Sequence, residues 1–170
     1  MNPLILIAGP SASGKTTLAL EVARQIGLPC LSLDDYFISK PKLFVETPTG
    51  MVRTFERPVL YNGAMLAIKL SNRVSGFVVE GFCLLNYPQI LALPAARYYL
   101  DVPFSICAKR RAARLPQRPS DESFSIIGEQ ETAAYVFPQS KLAGVRLLDG
   151  LRPIDELAAS IVADTLHRAA

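Results

Sequence analysis

A chain of 170 residues with 50% hydrophobic content can bury one sizeable core, and 19% charged residues argue against disorder. A net charge of +3 without a long basic run gives no reason to expect nucleic-acid or membrane-surface partners. Cys30, Cys83 and Cys107 lack metal-ligand spacing, no basic-then-apolar leader opens the chain, and no stretch approaches ~18 apolar residues. The expectation is a reduced, cytoplasmic protein with no membrane span, a monomer or homodimer.

The apolar run Leu4-Ile5-Leu6-Ile7-Ala8 predicts a strand. Gly9-Pro10-Ser11-Ala12-Ser13-Gly14-Lys15-Thr16 follows and fits the phosphate-loop pattern G-x-x-x-x-G-K-S/T. Leu18, Ala19, Val22, Ala23 and Ile26 then recur at helical spacing, predicting a helix over Thr17–Ile26 with Gly27 as C-cap. Strand, loop and helix stand in the order the motif requires. Glycines let backbone N–H groups turn inward, and the helix N-terminus adds unpaired donors, so the turn can cradle a polyphosphate. Gly9, Ser11, Ala12, Ser13, Gly14, Lys15, Thr16 and Thr17 are the candidate nucleotide-binding residues. Lys15 is placed for the β/γ-phosphates and the Thr16 hydroxyl for Mg²⁺.

Cys30-Leu31-Ser32-Leu33 predicts a second strand, ending in Asp34-Asp35-Tyr36-Phe37. In open α/β sheets, ligands bind outside the carboxyl ends of strands. One of the two acids can take a proton from an attacking hydroxyl while the other orients Mg²⁺ through water. The bland alternative is that one of them caps the next turn. From Phe37 to Pro58 no period is sustained, and Pro41, Pro48, Gly50 and Pro58 punctuate an expected loop that can wall an acceptor pocket. Tyr36, Phe37, Arg53 and Glu56 join Asp34 as candidate acceptor-site residues.

Asn62 reads as the N-cap of a helix over Gly63–Leu70. Phe77-Val78-Val79-Glu80-Gly81 is strand-like, with Glu80 in the place of a Walker-B-type acid that helps hold Mg²⁺. Arg97–Asp101 is a fourth strand, and Pro103 opens a helix running to Arg114. Arg110 and Arg114 share a side of it, with Arg111 beside them. Such arginines can stay solvated at a helix end, or close over a transferring phosphoryl group. A helix over Asp121–Tyr135, a strand over Val145–Leu148 and an amphipathic helix over Ile154–His167 complete the chain. Strands alternating with helices predict an α/β sandwich around a mostly parallel sheet.

The residues Gly9–Thr17, Leu33–Phe37, Thr54-Phe55-Glu56-Arg57-Pro58, Val79–Phe82 and the arginine segment through Arg114 resemble the uridine kinase-like branch of the P-loop kinases. That branch includes nicotinamide riboside kinase and phosphoribulokinase, and the resemblance covers nearly the whole chain. It implies a single P-loop domain over residues 1–170 with a three-layer α/β/α sandwich. Its five-stranded parallel sheet would have the order 2-3-1-4-5, with a small helical lid over about residues 110–137. It further implies ATP and Mg²⁺ as cofactors, with a nucleoside-like or ribosyl alcohol as acceptor. By resemblance Asp34 is the base, Glu80 associates with Mg²⁺ alongside Thr16 and Asp35, and Lys15, Arg110, Arg111 and Arg114 serve the transferred phosphate. Nucleoside kinases of this branch carry an aspartate for the ribose hydroxyls where this chain has Glu56. The competing reading is a nucleotide-binding regulatory or switch module. The N-K-x-D and D-x-x-G motifs of a GTPase switch are absent from the sequence.

Overall fold

Strand β1 (Leu4–Ala8) is buried at every residue, as an apolar run at the centre of a two-faced sheet must be. The structure, a computed structural model, describes residues 3–169. After β1 come α1 (Lys15–Ile26), β2 (Cys30–Ser32), β3 (Phe44–Thr47), β4 (Gly50–Arg53) and α2 (Gly63–Ser71). Then follow β5 (Phe77–Gly81), α3 (Pro88–Leu91), β6 (Ala96–Asp101) and α4 (Phe104–Ala112). The chain closes with α5 (Pro119–Glu131), β7 (Val145–Asp149) and α6 (Ile154–Ala169).

The main sheet has five strands in the order β2-β5-β1-β6-β7, and every pairing in it is parallel. Counting only the sheet strands, this is the expected order 2-3-1-4-5. Alternate residues of β1 feed opposite cores. Leu4, Leu6 and Ala8 pack with Leu66, Leu70, Leu84 and Ile90 on one face. Ile5 and Ile7 pack with Leu18, Val22, Leu157 and Ile161 on the other. The period-2 alternation of a strand thus divides one apolar run between two helical layers. Among the described residues, no helix is long and apolar enough to cross a membrane.

Several boundaries shift for local reasons. Helix α1 starts at Lys15, two residues before the expected start at Thr17, because Gly14 serves as its left-handed N-cap at φ 100°. Leu33 leaves β2 for a tight turn over Leu33–Tyr36 capped by the Ser32 hydroxyl. Helix α4 ends at Ala112 rather than Arg114. Helix α5 ends at Glu131 and widens into a π-type turn over Thr132–Val136. Asn62 does cap α2, accepting the Met65 N–H at 3.0 Å, and Gly27 does close α1 in the left-handed conformation.

The expected loop between Phe37 and Pro58 is instead an antiparallel hairpin, β3 against β4, with Thr47 opposite Gly50. Its turn residues are Thr47-Pro48-Thr49-Gly50, and Gly50 has φ +122°, which side chains rarely tolerate. Four-residue strands are too short to display a period, and only the Pro-x-Gly turn signalled them. The insertion is pinched at its neck. Phe37 bridges Tyr61, the Ile38 N–H reaches the Leu60 carbonyl at 2.7 Å, and the Asn62 N–H reaches the Tyr36 carbonyl at 2.8 Å.

Candidate active site

The phosphate loop occupies the turn between β1 and α1, at the carboxyl edge of the sheet. Gly9 has no room for a side chain: a Cβ there would stand 2.8 Å from the Leu100 carbonyl oxygen. The loop therefore passes close against β6 at Leu100, and the Ser13 N–H closes it onto the Pro10 carbonyl at 3.1 Å. Ser13 is buried with its hydroxyl unpartnered, and Lys15 is buried with one long hydrogen bond, 3.4 Å to the Pro10 carbonyl. Unsatisfied donors at a helix N-terminus make a cradle that suits a polyphosphate.

A cleft of about 830 Å³ opens from this loop. Ser11, Ala12, Gly14, Lys15, Thr16 and Thr17 line its phosphate end. Asp34, Phe37, Glu56 and Glu80 also line it, as do Arg110, Arg111 and Arg114. Of the residues singled out in the sequence, Gly9, Ser13, Asp35, Tyr36 and Arg53 are outside the lining. Arg53 instead stacks its guanidinium 4.5 Å over the Phe55 ring. Ser32, Tyr61 and Ser120 line the cleft without a sequence signal of their own. Phe55, Tyr61 and Phe82 join Phe37 in an aromatic wall, with the Phe37–Tyr61 and Tyr61–Phe82 ring pairs packed edge to face.

Ser32 links the two candidate acids. Its hydroxyl donates to Glu80 Oε1 at 2.6 Å and accepts the Asp34 N–H at 3.2 Å. The register of β2 on β5 sets Ser32 beside Glu80. Since Ser32 is the cap of the turn, neither Asp34 nor Asp35 is consumed in capping it. Among the described residues, no three His, Cys, Asp or Glu side chains gather into a metal-holding group. Mg²⁺ beside a phosphate loop needs fewer protein ligands, keeping waters and phosphate oxygens instead. The exposed Thr16 hydroxyl and the buried Glu80 carboxylate, both on the cleft, fit that requirement.

The three arginines have different surroundings. Arg110 is exposed and donates to the Ser13 carbonyl at 2.8 Å. Arg114 is half-buried, 3.5 Å from Asp121. Arg111 is buried at 3% exposure, with its donors committed. It bonds Asp121 at 2.8 Å, Glu56 at 2.7 Å, Ser11 Oγ at 3.1 Å and the Ser120 carbonyl at 2.9 Å. Its guanidinium also lies 4.2 Å over the Phe124 ring. Burial works to raise the Asp121 pKa, but the Arg118 N–H and the Arg111 guanidinium outweigh it and hold the carboxyl below its ordinary value.

Burial raises the Glu56 pKa above the usual carboxylate range despite the opposing Arg111 and Lys15 charges, and Asp34 across the cleft adds to the rise. Glu56 Oε1 is taken by Arg111, whereas Oε2 is buried and unpartnered. It is an acceptor waiting for a donor. Burial also pushes the Cys30 thiol up to about 11, with Glu80 and Asp35 adding to it, and Cys83 up to about 12. Neither is a nucleophile at neutral pH.

No family profile matches the chain. Among curated proteins, human nicotinamide riboside kinase 1 is 25% identical over 140 residues, spanning 71% of this chain and 69% of that one. The adenylate kinase of Pseudarthrobacter chlorophenolicus is 26% identical, spanning 93% of this chain and 94% of that one. Among solved structures, a gluconokinase from Sinorhizobium meliloti 1021 superposes with TM-score 0.64 at 17% identity, covering 99% of this chain and 93% of that one. A shikimate kinase from Acinetobacter baumannii in complex with shikimate also reaches 0.64 at 17% identity, covering 99% and 95%. The fold is theirs. The first relative belongs to the branch that the sequence motifs resemble.

Proposed function

We propose that this P-loop small-molecule kinase moves the γ-phosphate of ATP onto a hydroxyl of a nucleoside-like, ribosyl acceptor. The observation that carries the acceptor class is the buried, unpartnered Glu56 Oε2 in a cleft walled by Phe37, Phe55, Tyr61 and Phe82. A flat ring can stack on the aromatic wall while a sugar hydroxyl donates to the carboxylate. Both the likeness to nicotinamide riboside kinase 1 and the sequence motifs support the same reading.

In this reading residues 1–170 act as one kinase domain, with residues 110–137 as its lid. The loop N–H groups and Lys15 hold the β/γ-phosphates, and Thr16 and Glu80 hold Mg²⁺ and its waters. When bound there, Mg²⁺ neutralises charge on the phosphate oxygens. Asp34 accepts the proton as the acceptor O–H bond breaks. The acceptor oxygen bonds phosphorus while the bond to the β-phosphate oxygen breaks, and ADP leaves. Ser32 holds Asp34 and Glu80 at fixed separation, so positioning rather than covalent chemistry is the protein's contribution. Arg110 braces the phosphate loop through its carbonyls.

ADP release with MgATP and nicotinamide riboside or uridine tests the reading. Stimulation by a ribonucleoside is expected, with a deoxy analogue much poorer because Oε2 then stays unpaired. Equal turnover with both sugars would remove Glu56 from recognition. Stimulation only by sugar acids or nucleotides would replace the ribosyl acceptor class.

A further inference from the structure

Glu131 is distant from the phosphate loop in sequence and is outside the cleft lining, yet it is a buried carboxylate at 3% exposure. A buried acid is costly unless its oxygens are fully bonded. Those bonds run to one place. Thr54 Oγ1 donates to both carboxylate oxygens, at 2.7 and 2.6 Å, and Arg57 Nε donates at 2.9 Å. Thr54, itself 1% exposed, accepts the Glu56 N–H on the same hydroxyl at 3.3 Å. Ser123 on α5 donates its hydroxyl to the Arg53 carbonyl. Arg111 on α4 takes the Glu56 side chain from the opposite direction. The segment Arg53–Arg57 therefore hangs from α4 and α5, rather than from the central sheet. The helix widens into its π-type turn immediately after Glu131, a distortion that concentrates at functional sites.

We propose that Glu131 is a positioning residue of the acceptor site: through Thr54 it fixes the backbone at Glu56, and so aims Oε2 at the acceptor hydroxyl. The proposal rests on the ribosyl-acceptor reading above. Glu131 touches neither substrate, so its loss should act on acceptor binding and spare the phosphate machinery.

The test is steady-state kinetics with nicotinamide riboside and uridine as acceptors, on wild type, Glu131→Gln, Thr54→Val and Thr54→Ser. Glu131→Gln keeps the shape but weakens the acceptor of both donors, and Thr54→Val removes the relaying hydroxyl. Each is expected to raise KM for the riboside about tenfold, the scale of one hydrogen bond to a charged group. The kcat, the KM for ATP and riboside-independent ATP hydrolysis are expected to stay within about twofold, a split that marks lost binding rather than lost chemistry. Thr54→Ser, which keeps the hydroxyl, should behave as wild type. If Glu131→Gln does not fold, the Thr54 pair carries the same comparison. An unchanged riboside KM in Thr54→Val overturns the proposal, as does an equal fall in all parameters, which would mark a general brace. A wild-type chain silent toward both ribosides overturns the ribosyl reading and this proposal with it.

Discussion

Arg111 and Glu56 form a buried ion pair, Nη1 to Oε1 at 2.7 Å, across 55 residues of sequence. The same guanidinium binds Asp121 in α5 and Ser11 in the phosphate loop. One side chain thus joins the loop after β1, the Arg53–Arg57 segment and α5. Arg110, its neighbour in sequence, is exposed and touches only loop carbonyls among its described hydrogen bonds.

The two arginines should therefore fail differently. Arg111→Ala leaves the buried Glu56 carboxylate without its ion-pair partner and Asp121 with only the longer Arg114 contact and the Arg118 N–H, a change that costs about 3–5 kcal/mol. A large drop in thermal midpoint is expected. Arg110→Ala should keep the midpoint, and, if this exposed arginine on the cleft also meets the transferred phosphoryl group, lower kcat more than it raises KM for ATP. Thermal melts beside initial rates read both. Equal melting of the two variants would contradict the division.

Lys15→Ala should weaken nucleotide binding and nearly abolish transfer while the fold persists. The lysine makes one long hydrogen bond in the described structure, so little else depends on its ammonium. Calorimetric titration with a non-hydrolysable ATP analogue checks it. Unchanged affinity would remove the loop from nucleotide binding.

Asp34→Asn keeps the size and the backbone bond to Ser32 but cannot take a proton. Loss of general-base assistance is expected to lower kcat on the order of 10²–10⁴-fold, with nucleotide affinity unchanged. Because phosphoryl transfer is mostly positioning, the lower end of that range is the expected outcome. Asp35 is exposed and outside the cleft lining, so Asp35→Asn should have a smaller effect. Single-turnover rates on both variants separate them, and a dead Asp35→Asn enzyme would reverse the assignment.

Glu56 sets a pH expectation. Its folded-state pKa is raised, mainly by burial, so it takes a proton as pH falls while ordinary carboxylates are still ionised. Protonation removes the charge that pairs with Arg111. The kcat/KM for the acceptor should therefore fall on the acid side beginning above the usual carboxylate range. In Glu56→Gln this limb should move to lower pH, on a lower plateau. A pH–rate profile whose acid limb is identical in wild type and variant would exclude Glu56 as its source.

The phosphate half of the site was legible because it is local. Gly9 through Thr17 are contiguous, and the strand before and helix after announce themselves by period. Alternation of strands and helices predicted a mostly parallel sheet, and its order was what the family resemblance implied. Asp34 and Glu80 were legible because both stand at strand ends, but their link through Ser32 depends on strand register. The acceptor half was less legible. Thr54 and Glu131 lie 77 residues apart, and no pattern in either segment signals a buried carboxylate–hydroxyl pair. The arginine cluster was visible as composition. Which arginine is exposed and which is buried depends on α5, whose placement no local sequence pattern fixes.

The neck between Phe37 and Tyr61 has a consequence for how such a protein changes over time. Since the chain enters and leaves the insertion at adjacent points, a different insertion of residues 38–60 is expected to leave the path of β2 and α2 unchanged. The exchange is not free-standing. A transplanted insertion must still present a hydroxyl to Glu131 and a carboxylate to Arg111, or those charges are stranded in the interior. The insertion and the helices that carry Arg111 and Glu131 are therefore a heritable unit, expected to change together while the loop after β1 stays as it is.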